Sequence, residues 1–149
     1  SVKLISACLL GIKCAWDGQN IYKSDKVIRV LKSDALIPVC PEQLGGLKTP
    51  RAAQEIQGGT GQDVLDGKCE VLNINGEDVT QEFITGAEET LKIARLFHIE
   101  EFIGKTRSPS CGCGQIYDGT FSRKLIGGDG VSTALLKRNG IRVITEEDL

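Results

Sequence analysis

A chain of 149 residues and 16.1 kDa points to one domain, long enough to bury a core without disulfide staples. Hydrophobic residues make up 40% and charged residues 26%, and 18 Lys+Arg against 20 Asp+Glu leave a net charge of −2. That balance gives no electrostatic footprint for a nucleic-acid duplex or an anionic membrane, and no apolar run approaches the ~20 residues of a membrane span.

In chain order, residues 2–7 form a short apolar strand that ends at Cys8. Residues 24–32 carry Val27, Ile28, Val30 and Leu31 and predict a short helix. Residues 35–39 predict a second strand, in which Pro38 signals an edge position or an early end. Residues 41–66, with Gly45, Gly46, Gly58, Gly59 and Gly61, read as one long loop, a length associated with function or mobility. Residues 69–74 alternate and run into Asn75-Gly76, a hairpin turn signal that predicts a small β excursion. The strongest helix is 80–97, with Phe83, Ala87, Leu91 and Ala94 at helical spacing. Thr80 is its expected cap, and Val79 and Ile84 are placed as a hydrophobic staple. Residues 101–105 predict a third main strand, 131–138 a helix ended by Asn139-Gly140, and 141–145 a fourth strand. Alternating strands and helices predict an α/β fold: a mainly parallel, roughly four-stranded sheet covered by helices on both faces in three layers.

In such sheets ligands sit outside the carboxyl ends of the strands, where strand order reverses. Three Cys phrases fall there: Ser6-Ala7-Cys8-Leu9-Leu10-Gly11, Pro38-Val39-Cys40-Pro41-Glu42 and Ser108-Pro109-Ser110-Cys111-Gly112. If the strands are parallel neighbours, three thiols meet at one sheet edge. No signal-peptide pattern opens the sequence, so the six Cys are expected in a reducing cytoplasm, where clustered thiols serve metal or redox chemistry. His98 is the only histidine, which argues against mixed Cys/His zinc sites and a His-based triad. The nearest thiol pairs, Cys111 with Cys113 and Cys8 with Cys14, lack zinc-knuckle spacing. Separated Cys beside Gly or Pro suit a bulkier iron–sulfur cluster. Buried, unreactive Cys is the alternative, since free Cys is among the most buried residue types.

The ordered set of motifs resembles the thiouracil desulfidase family nearly end to end. It comprises the three Cys phrases, Cys14 with Trp16-Asp17-Gly18, Gly45-Gly46-Leu47, Pro50-Arg51, Ile116-Tyr117-Asp118-Gly119 and Gly128-Asp129-Gly130-Val131. The resemblance implies a Rossmann-like fold carrying a [4Fe-4S] cluster on Cys8, Cys40 and Cys111, with the fourth iron free for substrate sulfur. It implies non-redox removal of sulfur from a thiolated pyrimidine such as 2-thiouracil, releasing hydrogen sulfide. The partner is then a small thiolated base or nucleotide. Proton transfer needs a group within hydrogen-bond reach. Glu42 is the first candidate and Asp17 the second, with Ser108 and Ser110 as donors to the base or the cluster sulfides. A non-catalytic metal- or sulfur-binding protein and a nucleotide-binding regulatory module are the alternative readings.

Other features carry two readings each. Glu42 is an acid/base or a turn cap, and Asp17 before Gly18 is an acid or a turn residue. Cys14 is an accessory thiol or a packed side chain. Cys113 and Cys69 are expected bystanders. Arg51 orients substrate or pairs with an acid, and Trp16 stacks on a pyrimidine or packs in the core. Gly127-Gly128-Asp129-Gly130, before a helix, binds an anion or packs tightly.

Overall fold

Residues 1–19 and 25–149 are described by a computed structural model. Four parallel strands form the main sheet: β1 (Val2–Ser6), β2 (Ala35–Val39), β5 (Glu101–Gly104) and β8 (Arg142–Thr145), in the order β2-β1-β5-β8. These are the four expected strands, each within a residue of its predicted ends. Pro38 lies on β2, an edge strand, opposite Ile5, so its missing N–H interrupts no central ladder.

Strand alternation decides which residue serves which face. Leu4, Phe102 and Val143 join one cluster with Leu91, Ala94 and Leu136, which belong to α4 (Thr80–Leu96) and α5 (Val131–Arg138). Their neighbours Ile5, Ile103 and Ile144 join the opposite cluster with Leu9 and with Val27 of α1 (Asp25–Val30). The sheet is thus covered on both faces. The expected helix at 24–32 appears as α1; Ser24, its first expected residue, lies outside the described residues.

The segment 41–66, expected as a loop, holds three short elements: α2 (Pro41–Leu44), β3 (Gln54–Ile56) and α3 (Gly61–Leu65). Strand β3 pairs antiparallel with β4 (Val71–Asn73), the core of the expected β excursion. Asn75-Gly76 makes the expected turn, and Leu72 bridges Asp78 on the return. A second hairpin, β6 (Gln115–Tyr117) with β7 (Leu125–Gly127), was not expected from the pattern. A third buried cluster knits these additions to the main helices through Ile56, Val64, Val71, Phe83, Ile116 and Val131.

Helix α4 buries Phe83, Ala87, Leu91 and Ala94 as its spacing requires, and Val79 and Ile84 pack in one cluster. Its cap differs from the expectation. The Asp78 carboxylate accepts from Thr80 N at 2.9 Å, while Thr80 Oγ1 accepts from Val71 N at 2.9 Å. Thr80 therefore cross-links the helix start to β4, and Asp78 satisfies the free helix amide.

Candidate active site

The main sheet reverses direction of build at β1: β2 lies on one side and β5 on the other. The loops leaving these three strands enclose a cavity of about 750 Å³, walled by Cys8, Cys14, Cys40, Cys111, Glu42 and Asp17 among others. Ser108 and Ser110 line it too. All seven residues singled out as catalytic or metal-binding therefore share one cavity wall.

Each thiol is placed by its own local device. Cys8 sits in a 3-10 turn, Ala7–Leu10, which Gly11 closes at φ +88°. Cys40 precedes α2 directly, and Pro41 takes the first helical position, where a missing N–H costs nothing. Helix α2 is only one turn long, so its seat on α4 must fix it. A methyl group on Gly45 would lie 1.9 Å from the Glu82 carbonyl oxygen, and one on Gly86 2.0 Å from the Pro41 carbonyl oxygen. Two backbones are thus in direct contact beneath Glu42.

Cys111 closes the tight Ser108–Cys111 loop. Ser108 Oγ accepts from Cys111 N at 3.0 Å and from Ser110 N at 3.2 Å. The first amides of α5 turn toward the same loop: Val131 N donates to Pro109 O at 2.8 Å and Ser132 N to Ser110 O at 2.9 Å. Those amides are consumed in bracing the Cys111 loop, so Gly128 and Gly130 serve tight packing. A methyl on Gly130 would fall 2.5 Å from the Ser110 carbonyl carbon.

Glu42 is held from two sides. Arg51 Nη2 pairs with its Oε2, and Ser110 Oγ donates to its Oε1 at 2.6 Å. The Ser110 hydroxyl also lies 3.6 Å from Cys111 Sγ and 3.2 Å from Ser108 Oγ. One continuous polar chain thus links the carboxylate to a thiol. Asp17 is part of the cavity wall but behaves as a turn residue: its Oδ1 accepts from Gln19 N at 3.0 Å, and Gly18 follows at φ +71°. Trp16 stands at the rim, 47% exposed, rather than in the core.

Burial and charge act on Cys14, Cys40 and Cys111 in one direction. Burial and the nearby Glu42 charge push Cys111 up to about 12. Cys40 is raised strongly by its hydrogen bond with Cys14, by burial and by Glu42. Cys14 is pulled down by its hydrogen bond with Cys40 but pushed up by one with Cys8 and by burial, and ends raised to about 11. Such thiols stay protonated at neutral pH unless a cationic centre displaces their protons. Among the described residues, no three His, Cys, Asp or Glu side chains converge on a single ion. Three thiols spread around a roomy cavity, with backbone packed closely behind them, fit a multinuclear iron–sulfur cluster better than one tetrahedral zinc.

The remaining cysteines lie apart from this chemistry. Cys69 contacts Gly59, where an added methyl would lie 2.5 Å from its sulfur, and Cys113 Sγ lies 3.5 Å from Val143 O against the main core. Sequence reasoning missed Glu55 and the β6–β7 hairpin. Glu55 Oε1 accepts from Gly119 N at 3.0 Å and Phe121 N at 3.1 Å, fixing the hairpin tip so that Tyr117, Phe121 and Arg123 line the cavity. The Asp118-Gly119 turn signal between two apolar pairs was the available clue.

Soft thiol donors line the cavity at the carboxyl edge of a parallel sheet, beside a braced carboxylate, a donor set that suits a soft-metal centre in an α/β enzyme. The chain belongs to the 2-thiouracil desulfurase family, matching it over residues 4–148. It is 47% identical over 146 residues to the protein YbbK of Bacillus subtilis (strain 168), covering 98% of this chain and 96% of that one. Its fold is similar to the solved structure of the [4Fe-4S]-dependent thiouracil desulfidase TudS. The TM-score is 0.87 at 38% identity, over 100% of this chain and 93% of the other.

Proposed function

We propose that the chain is an iron–sulfur-dependent desulfidase that converts the C=S group of a thiolated pyrimidine such as 2-thiouracil to C=O. The observation that carries this reading is the meeting of Cys8, Cys40 and Cys111, from the carboxyl ends of three parallel strands, around a cavity that also holds Glu42. These three thiolates would hold a [4Fe-4S] cluster. When bound through three cysteines, such a cluster offers one iron without a protein ligand, a Lewis acid for the thiocarbonyl sulfur.

The reaction consumes water and moves no net electrons: a C–O bond forms, the C–S bond breaks, and sulfur departs as hydrogen sulfide. Glu42 takes a proton from the attacking water and returns one as the products form. Ser110 holds one oxygen of that carboxylate in place, and Ser108 holds Ser110. Asp17, on the same wall, is the second candidate acid. The exposed face of Trp16 at the rim offers a stacking surface for a flat ring. Six free cysteines, four of them around the cavity, suit a reducing cytoplasm. No helix among the described residues is long and apolar enough to cross a membrane.

The test is Glu42→Gln. The variant should hold iron as the parent does and release little hydrogen sulfide from 2-thiouracil; unchanged turnover would remove Glu42 from this role.

A further inference from the structure

Arg51 is a buried cation at the meeting point of three segments. Its side chain is 5% exposed, a costly place for a charge unless each donor is used. Nη1 donates to Lys48 O at 3.2 Å and to Thr49 Oγ1 at 2.9 Å, anchoring the guanidinium to its own loop. Nη2 donates to Cys14 O at 3.1 Å, in the loop after β1, and to Glu42 Oε2 on α2. The Arg51 backbone N–H adds a 2.7 Å bond to Trp16 O.

This arrangement sacrifices one donor: Nε is buried and has no hydrogen-bond partner among the described residues. The guanidinium is therefore oriented to satisfy the Glu42 and Cys14 contacts, not to maximise its own bonding. The other carboxylate oxygen of Glu42 belongs to Ser110, so the two contacts together fix both oxygens of one acid. Neither partner alone would do so, because Ser110 touches only Oε1.

We infer that Arg51 is a positioning residue for the desulfidase reaction, locking the Glu42 carboxylate against the Cys14–Trp16 loop so that it faces the cavity in one orientation. The inference rests on the reading of Glu42 as the acid/base. A lysine at this position keeps the charge but presents a single compact ammonium, which lacks the planar fork that reaches Thr49, Cys14 and Glu42 together.

The test compares Arg51→Met and Arg51→Lys in anaerobically reconstituted protein, measuring iron per chain, visible absorbance, and kcat and KM for 2-thiouracil. Arg51→Met should keep iron and absorbance at the parent level and keep KM, while kcat falls by roughly 10²-fold, the scale of a misplaced catalytic group. Arg51→Lys should recover part of that kcat. A kcat unchanged in both variants overturns the inference. So does a raised KM at full kcat, which would make Arg51 a substrate ligand, or a loss of iron that matches the loss of activity, which would make it only structural. Should Arg51→Met not fold, Arg51→Lys decides alone: a lowered kcat at full iron supports the role and a parental kcat overturns it. Glu42→Gln, run alongside, separates the two layers. Full turnover there removes the acid/base reading, whereas its loss beside normal Arg51 variants removes only the positioning role.

Discussion

Ser110 donates a 2.6 Å hydrogen bond to Glu42 while its oxygen stands 3.6 Å from the sulfur of Cys111. These residues are 68 positions apart in the chain and meet only because β2 and β5 flank β1 in one parallel sheet. One hydroxyl, 1% exposed, therefore connects the candidate acid with a candidate ligand.

Ser110→Ala should lower hydrogen sulfide release by about 10- to 100-fold, because the carboxylate loses one of its two restraints. Iron content should stay at the parent level. Kinetics paired with an iron assay check this, and a parental rate would show that Arg51 alone suffices to orient Glu42.

The thiols should divide sharply. Cys8→Ala, Cys40→Ala and Cys111→Ala each remove one of the three proposed ligands and should leave protein with little or no bound iron after reconstitution. Cys69→Ala and Cys113→Ala lie on the β4 side and the main core and should retain it. Retention of full iron by any of the first three would take that residue out of the ligand set.

The seat of α2 on α4 makes a steric prediction. Gly86→Ala places a methyl against the Pro41 carbonyl and should cost roughly 1–3 kcal/mol of stability, the usual range for overpacking. It should also depress turnover, because Pro41 precedes Glu42. Gly127 has open space around its added methyl, so Gly127→Ala should change stability by no more than about 0.5 kcal/mol. Urea unfolding of both variants measures the contrast.

At the opposite end of the sheet, Glu101 supplies a pH-dependent term. Its carboxylate is 9% exposed and pairs with Lys3 at 3.0 Å and Arg142 at 2.6 Å. Burial pushes its pKa up, but the bonds from Arg142 and Lys3 outweigh this and hold it below the ordinary carboxylate value. A folded pKa below the unfolded one gives stability that is present above the unfolded value, about 4.3, and is lost as pH falls through the folded value. Lys3 is raised chiefly by its hydrogen bond with Glu101, so its share is present below the unfolded lysine value and fades as pH rises through the folded one. Glu101→Gln should cost roughly 1–3 kcal/mol at neutral pH and progressively less in acid. An equal deficit at both ends of an acid titration of unfolding free energy would contradict this.

How legible each part was follows from its length and its contacts. Leu4 beside Ile5 and Phe102 beside Ile103 alternate in strands flanked by loops, so the sheet could be read directly. Phe83, Ala87, Leu91 and Ala94 span a 17-residue helix, long enough for its period to stand out. Elements α2, β3 and α3 have four, three and five residues, too short for periodicity. They exist through distant partners: Gly45 on Glu82, Gln54 beside Asn73, and Gly61 N donating to Asp129 O. The thiols could be located because strand ends were visible. An acid partner for Arg51 was one of its two readings, but that the acid is Glu42 was not legible, because it depends on the path of the loop between them. Thr80 shows a local rule overridden, with its hydroxyl diverted to β4 and Asp78 left to cap.

The central claim is tested most directly by measuring hydrogen sulfide released from 2-thiouracil by anaerobically reconstituted protein. The account predicts brown protein that yields uracil and hydrogen sulfide in equal amounts without added reductant. Iron-loaded protein that leaves 2-thiouracil intact would contradict it.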